Sequence, residues 1–150
     1  MAADGLAEEL KKKVGVDWPP LVYDIEKDMI RRFARAVSDP NPLWQDEEYA
    51  RQSGYGGIVA PPTFALILGF DRMLQSLNLD SSLTVLHGST ELECHQPIRP
   101  GDVITVTTRI ANVRQRQGKV GETLFVTFDL SCRNQEQELV ARRRQMAIIY

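Results

Sequence analysis

The sequence predicts one α+β domain in which an apolar helix lies across an antiparallel sheet. Two observations carry this. From Thr63 to Leu77 the chain is apolar nearly all round, with Phe64, Ala65, Leu66, Ile67, Leu68, Phe70, Met73, Leu74 and Leu77, the pattern of a helix buried on most sides. Beyond residue 83 the chain is strand-like and broken only by short turns, which implies an antiparallel meander. A buried helix placed before such strands must lie across them.

The elements follow in order. Leu6, Leu10 and Val14 recur at four-residue spacing, so residues 1–20 read as a short helix or a frayed tail ended by Trp18-Pro19-Pro20. Leu21 to Ile25 is a short strand. Asp24 is placed to cap a helix over Glu26 to Val37, where Met29, Ile30, Phe33, Ala36 and Val37 share one stripe. Ser38-Asp39-Pro40-Asn41-Pro42 stops that helix, because proline lacks the backbone donor and restricts the residue before it. Asp46 to Gln52 reads as one or two helical turns, and Gly54, Gly56 and Gly57 make a loop. Pro61-Pro62 suits the first turn of the apolar helix. Strands are expected over Leu83–Gln96, Asp102–Gln115, Leu124–Cys132 and Leu139–Tyr150, with turns at Pro97–Gly101, Gln117–Gly121 and Asn134–Gln137. Leu124, Val126, Phe128, Leu130 and Cys132 fall on one face at period two.

Composition narrows the function. At 150 residues the chain fits one domain with a core of its own. The formal net charge of -2 argues against a nucleic-acid surface. No apolar run approaches the roughly 18 residues that span a bilayer, and Met1 to Lys13 lacks the apolar centre of a signal peptide. Cys94 and Cys132 sit at core-like strand positions and are expected as reduced thiols. The expected address is cytoplasmic.

Three segments carry a resemblance. Phe33 to Asp46, reading Phe-Ala-Arg-Ala-Val-Ser-Asp-Pro-Asn-Pro-Leu-Trp-Gln-Asp, resembles the hydratase motif of MaoC-like, (R)-specific enoyl-CoA hydratases and dehydratases. Gly56-Gly57-Ile58-Val59-Ala60 resembles that family's entry into its central helix, and Ile98-Arg99-Pro100-Gly101-Asp102 its strand-connecting turn. The resemblance covers roughly residues 21–150 and implies a single hot-dog domain, an antiparallel sheet wrapped around a long central helix. It also implies an Asp and a His acting on water and on the α-carbon of a thioester, with a backbone N–H at the helix entrance polarising the thioester carbonyl.

Carried over residue by residue, Asp39 falls at the catalytic Asp and Asn41 at its supporting Asn. Trp44 falls at the His, and indole moves no proton near neutral pH. At the helix entrance Ala60-Pro61-Pro62 stands where the family has Ala-His-Gly, and Pro62 has no N–H to donate. Thr63 is a neighbouring donor, and Phe64 follows it. This pattern is similar to the His-less, FAS1-like N-terminal domain of double hot-dog dehydratases and to the non-catalytic subunit of two-subunit (3R)-hydroxyacyl dehydratases of fatty acid metabolism. There the degenerate domain holds the acyl chain and a partner supplies Asp and His.

The resemblance therefore implies an acyl-CoA or acyl-carrier-protein thioester as substrate and a dimer, homo or hetero, with a second MaoC-like subunit. No cofactor is implied. Two rivals stand beside this: a self-sufficient homodimeric hydratase with His87 as a relocated base, and a non-enzymatic acyl-thioester binding module. For Asp39 and Asn41 a turn role competes with a substrate-facing one. Trp44 is either a core or interface aromatic or a pocket wall. His87 and His95 read first as hydrogen-bonded structural histidines, and two histidines without close acids make a poor metal site. Arg142, Arg143 and Arg144 alternate faces on a strand, so they read as charge protecting an exposed edge rather than as a phosphate site.

Overall fold

The computed structural model describes residues 3–118 and 121–150. Helix α1 (Ala3–Lys12) is followed by strand β1 (Leu21–Asp24) and helix α2 (Lys27–Ala36). A 3-10 turn (Pro42–Trp44), helix α3 (Glu47–Gln52), a second 3-10 turn (Pro62–Leu66) and helix α4 (Phe70–Ser76) come next. Four long strands complete the chain: β2 (Val85–Cys94), β3 (Val103–Gly118), β4 (Gly121–Arg133) and β5 (Leu139–Ile149).

All five strands form one antiparallel sheet in the order β1-β3-β4-β5-β2. Only β3-β4-β5 is a meander. The structure departs from the expected four-strand meander, because β2 leaves the hairpin order and pairs with the far side of β5. One consequence concerns the arginines. β5 is an inner strand rather than an exposed edge, with β4 on one side and β2 on the other. The long open edge is β2, whose ten residues are mostly exposed.

Period-two alternation sorts the sheet into two faces. The inner face carries Ile104, Val106, Ile110, Leu124, Val126, Phe128 and Leu130, all buried against the helices. On the outer face Arg109, Asp129, Arg144 and Glu91 form one cross-strand row. Arg144 grips Asp129 with both Nε (2.7 Å) and Nη2 (2.9 Å), the two-pronged geometry that suits guanidinium to carboxylate. Together these groups hold the Asp129 carboxyl below its ordinary range: the Arg144 hydrogen bonds act most strongly, and the charges of Arg144 and Arg109 add to them.

The N-terminal stretch is a helix whose Leu6, Ala7 and Leu10 enter the core, whereas Val14 stays 38% exposed. Asp24 caps nothing. It ends β1, and Glu26 stands before α2 without a side-chain capping bond. Gly118 and Gly121 pair across the base of the β3-β4 hairpin; the rest of that expected turn, residues 119 and 120, lies outside the described residues.

The apolar segment is not one continuous helix. It breaks at Gly69, which takes φ 77, a conformation that residues with a Cβ rarely adopt. A Cβ there would also sit 3.1 Å from Val106 Cγ1, so the chain passes close over the sheet. The break frees carbonyls, and Arg143 takes them. Its guanidinium donates to the carbonyls of Ala65, Leu66 and Leu68 from beneath, while Tyr23 Oη accepts from the Gly69 N–H at 2.9 Å. Arg143 is 4% exposed and burial pushes its pKa down. The segment also shows one face to solvent, with Ile67, Phe70 and Leu74 exposed, so it is less enclosed than its composition suggests.

Candidate functional site

An open cleft of about 260 Å3 lies where the first turn of the apolar segment meets the ends of β2 and β5. Trp44, Tyr55, Val59, Ala60, Pro61, Pro62 and Ala65 form one side. Cys94, His95, Gln96, Pro97 and Ile98 form the other, and Val140 and Ala141 close the back.

Local bonding explains why these residues meet. Asn41 Oδ1 accepts from the Leu43 N–H at 3.0 Å and starts the 3-10 turn that ends on Trp44. Asp46 Oδ1 accepts from Glu48 and Tyr49 N–H and caps α3, as its residue type favours. The strand-like run that follows is tied at three points. Ile58 N–H donates to Glu47 Oε2, Val59 N–H to Leu43 O, and Ala60 N–H to Ile98 O at 2.8 Å. Glu47 is also paired with Lys27, and these contacts pull its carboxyl below the ordinary range. Pro61 and Pro62 then open the 3-10 turn.

The residues singled out in the sequence separate into two groups. Trp44, Ala60 and Pro62 meet in the cleft. Asp39 and Asn41 do not line it. Asp39 Oδ1 accepts from the Asn41 N–H at 3.0 Å, closing the turn that stops α2 just after Ser38 at φ 55. Thr63 lies on the exposed side of the turn. Phe64 is fully buried, edge-on to Phe33 with ring centroids 5.5 Å apart, so it is core.

His87 lies towards the other end of β2, about 20 Å along the strand from Cys94 at the usual rise. Its Nε2 is hydrogen-bonded with Thr90 Oγ1 at 2.7 Å, across the bulge at Gly88. The histidine on the cleft is His95, whose Nε2 is 3.6 Å from Glu93 Oε2. The sequence pointed to His87 rather than His95 as the alternative base. The available signal was its place just before Pro97, at the end of the strand nearest the helix entrance.

Two polar features of the cleft stand out. Trp44 is 8% exposed, and its Nε1 is buried with no acceptor among the described residues. Cys94 Sγ lies 3.9 Å from the Pro62 carbonyl, and burial raises its thiol pKa. Cys94 is exposed rather than core. Cys132 is buried on the other side of Ala141, its thiol pushed up to about 11 by burial. Two strand spacings, roughly 9.5 Å, separate the two cysteines, beyond disulfide reach. Among the described residues no cluster of three or more His, Cys, Asp or Glu could hold a metal ion. No helix there is long and apolar enough to cross a membrane.

A larger depression of about 500 Å3 lies on the outer sheet face. Arg109, Arg142 and Arg144 alternate there with Asp129, Glu91 and Glu93, so their charges cancel locally and leave no concentrated anion site. The outward arginines are therefore part of a charged sheet face, and Arg143 is part of the core.

A long antiparallel sheet folded over an apolar helical segment is the hot-dog fold. Within it, the chain belongs to the FAS1-like, dehydratase domain region family, which it matches over residues 12–143. It is 38% identical over 110 residues to a UPF0336 protein of Thermobifida fusca, covering 70% of this chain and 72% of that one. It is 29% identical over 133 residues to a probable enoyl-CoA hydratase alpha subunit of Thermomonospora curvata, covering 77% of this chain but 42% of that protein. Among solved structures it resembles a chain of the C-terminally truncated HadBC (3R)-hydroxyacyl-ACP dehydratase complex of Mycobacterium tuberculosis. That match has TM-score 0.77 and 28% identity over 91% of this chain and 96% of the other.

Proposed function

We propose that this chain is the acyl-holding subunit of a two-subunit enoyl-thioester hydratase or 3-hydroxyacyl-thioester dehydratase, and that a partner hot-dog subunit supplies the Asp and His. One observation carries the reading. The cleft at the helix entrance is formed and Trp44 and Pro62 line it, the two residues that the motif resemblance sets at the positions of a proton carrier and an N–H donor. Asp39, the remaining half of the dyad, has an oxygen committed to its own turn.

The open β2 edge supports the second half of the proposal. A ten-residue edge strand presents unpaired N–H and C=O groups to any matching strand, and the cleft lies at one end of that edge. A partner pairing there would bring its own groups close to the cleft. The similarity to a chain of a dehydratase complex points the same way.

The test is reconstitution. The purified chain, and the chain mixed with a hot-dog subunit whose Asn-Pro-X-His motif is intact, are assayed for hydration of crotonyl-CoA and of a longer 2-enoyl-CoA. The chain alone is expected to be inactive and the mixture active beyond the partner by itself. Rapid hydration by the chain alone would instead favour the self-sufficient reading. The geometry gives that reading a different base, because His95 rather than His87 borders the cleft.

A further inference from the structure

We infer that Trp44 is a ligand-binding donor: its indole N–H holds the thioester carbonyl of an acyl chain seated in the cleft. This rests on the acyl-holding reading above and adds to it the group that is recognised.

The argument begins with an unmade bond. Trp44 lines the cleft, yet its Nε1 is sealed from solvent and meets no acceptor among the described residues. Buried donors are nearly always paired, because leaving one unmade forfeits its hydration for nothing. An orphan beside a cleft therefore marks a place where an acceptor is absent in the free chain.

Most of the backbone donors that line the cleft are already committed or absent. Val59 N–H is spent on Leu43 O, Ala60 N–H on Ile98 O, and His95 N–H on Val140 O, and Pro61 and Pro62 have none. The chemistry of the acceptor also follows. Indole only donates, so the ligand must accept. Among the described residues no lysine or arginine lines the cleft. Arg99 beside it is spent on the Tyr55 carbonyl and His95 faces Glu93 at 3.6 Å, so a carboxylate or phosphate would enter with little free counter-charge, which burial penalises. A neutral carbonyl fits both conditions. Because indole does not titrate near neutral pH, Trp44 can hold such a group but cannot pass it a proton. Seating the carbonyl needs a small shift at the rim. Tyr55 lines the same cleft and is 39% exposed, so a ring rotation there is the smallest movement that could admit it.

The test is a cycle that removes each partner of the proposed bond. Calorimetry measures the binding of decanoyl-CoA and of S-decyl-CoA, the thioether lacking the carbonyl, to the wild-type chain and to Trp44→Phe. Phenylalanine keeps an aromatic wall and deletes the N–H. Decanoyl-CoA is expected to bind Trp44→Phe roughly 3- to 10-fold more weakly than wild type, one neutral hydrogen bond's worth. S-decyl-CoA should bind both proteins alike. Melting of the free variant checks only that it is folded, because the relief of an orphan donor and the space left by the smaller ring act in opposite directions. If the variant weakens both ligands equally, or neither, the bond does not exist and the inference falls. If the wild-type chain binds neither ligand, the acyl-holding reading fails first, and the two failures are thereby told apart.

Discussion

Replacing Arg143 by methionine tests what joins the broken helix to the sheet. The guanidinium donates to the carbonyls of Ala65, Leu66 and Leu68, and Ala65 and Leu68 are buried. Methionine fills much of the same volume and donates nothing. Buried acceptors stripped of their donor cost about 1–3 kcal/mol each, so the two buried ones together lose about 2–6 kcal/mol. Part of this returns, because the variant no longer buries a cation whose Nε has no acceptor; that relief is worth about 1–3 kcal/mol. From the middle of each range the net loss is about 2 kcal/mol, or roughly 4–8 °C in melting temperature for a chain of this size. Calorimetry at fixed protein concentration measures it, so that any dimerisation enters equally. Arg143→Lys should fall between the two, since one ammonium cannot reach three carbonyls with the same fork. If Arg143→Met melts as high as wild type, the arginine does not cap these carbonyls and the account of the helix break is wrong.

Three further outcomes follow from the same structure. Asp39→Asn keeps the side-chain oxygen that closes its turn, so both stability and the activity of the reconstituted pair should be unchanged; a large loss of activity alone would return Asp39 to the chemistry. In thiol titration near pH 8 the native chain should react at the exposed Cys94 only, and slowly, with Cys132 appearing on unfolding; two fast native thiols would contradict the burial. Asp129 has a folded pKa below its ordinary 3.8, so its stabilising effect is present above that value and lost as pH falls through the folded one. Urea melts of Asp129→Asn from pH 7 down to pH 2.5 should show it weaker than wild type at neutral pH, with the gap closing in acid. A gap independent of pH would mean that the Arg144 pairing contributes nothing.

Much of the fold is legible residue by residue. The four strands and their turns follow from alternation and from Gly, Pro and Asn at the breaks, all of which act over a few residues. Asp46 announces α3 for the same reason. Asp24 misleads because an acid before a helix also suits the end of a strand, and β1 reaches Asp24 by pairing with β3. Composition alone also cannot show the split of the apolar segment. Gly69 permits a left-handed turn, but that the chain takes it there, with Val106 and Leu130 too close for a side chain, shows only in the tertiary structure.

The candidate site divides in the same way. Trp44 and Pro62 were visible as departures from a motif, because a proton carrier and an N–H donor are properties of single residues. Their meeting in one cleft depends on bonds between distant segments, such as Ala60 to Ile98. The choice between His87 and His95 is likewise tertiary, set by which end of β2 reaches the helix entrance. The three arginines make the contrast plainest. Alternation alone determined that Arg143 faces away from Arg142 and Arg144. Which face is core, and that β5 lies inside the sheet, came only with the strand order, because pairing partners are chosen by long-range burial that no local pattern records.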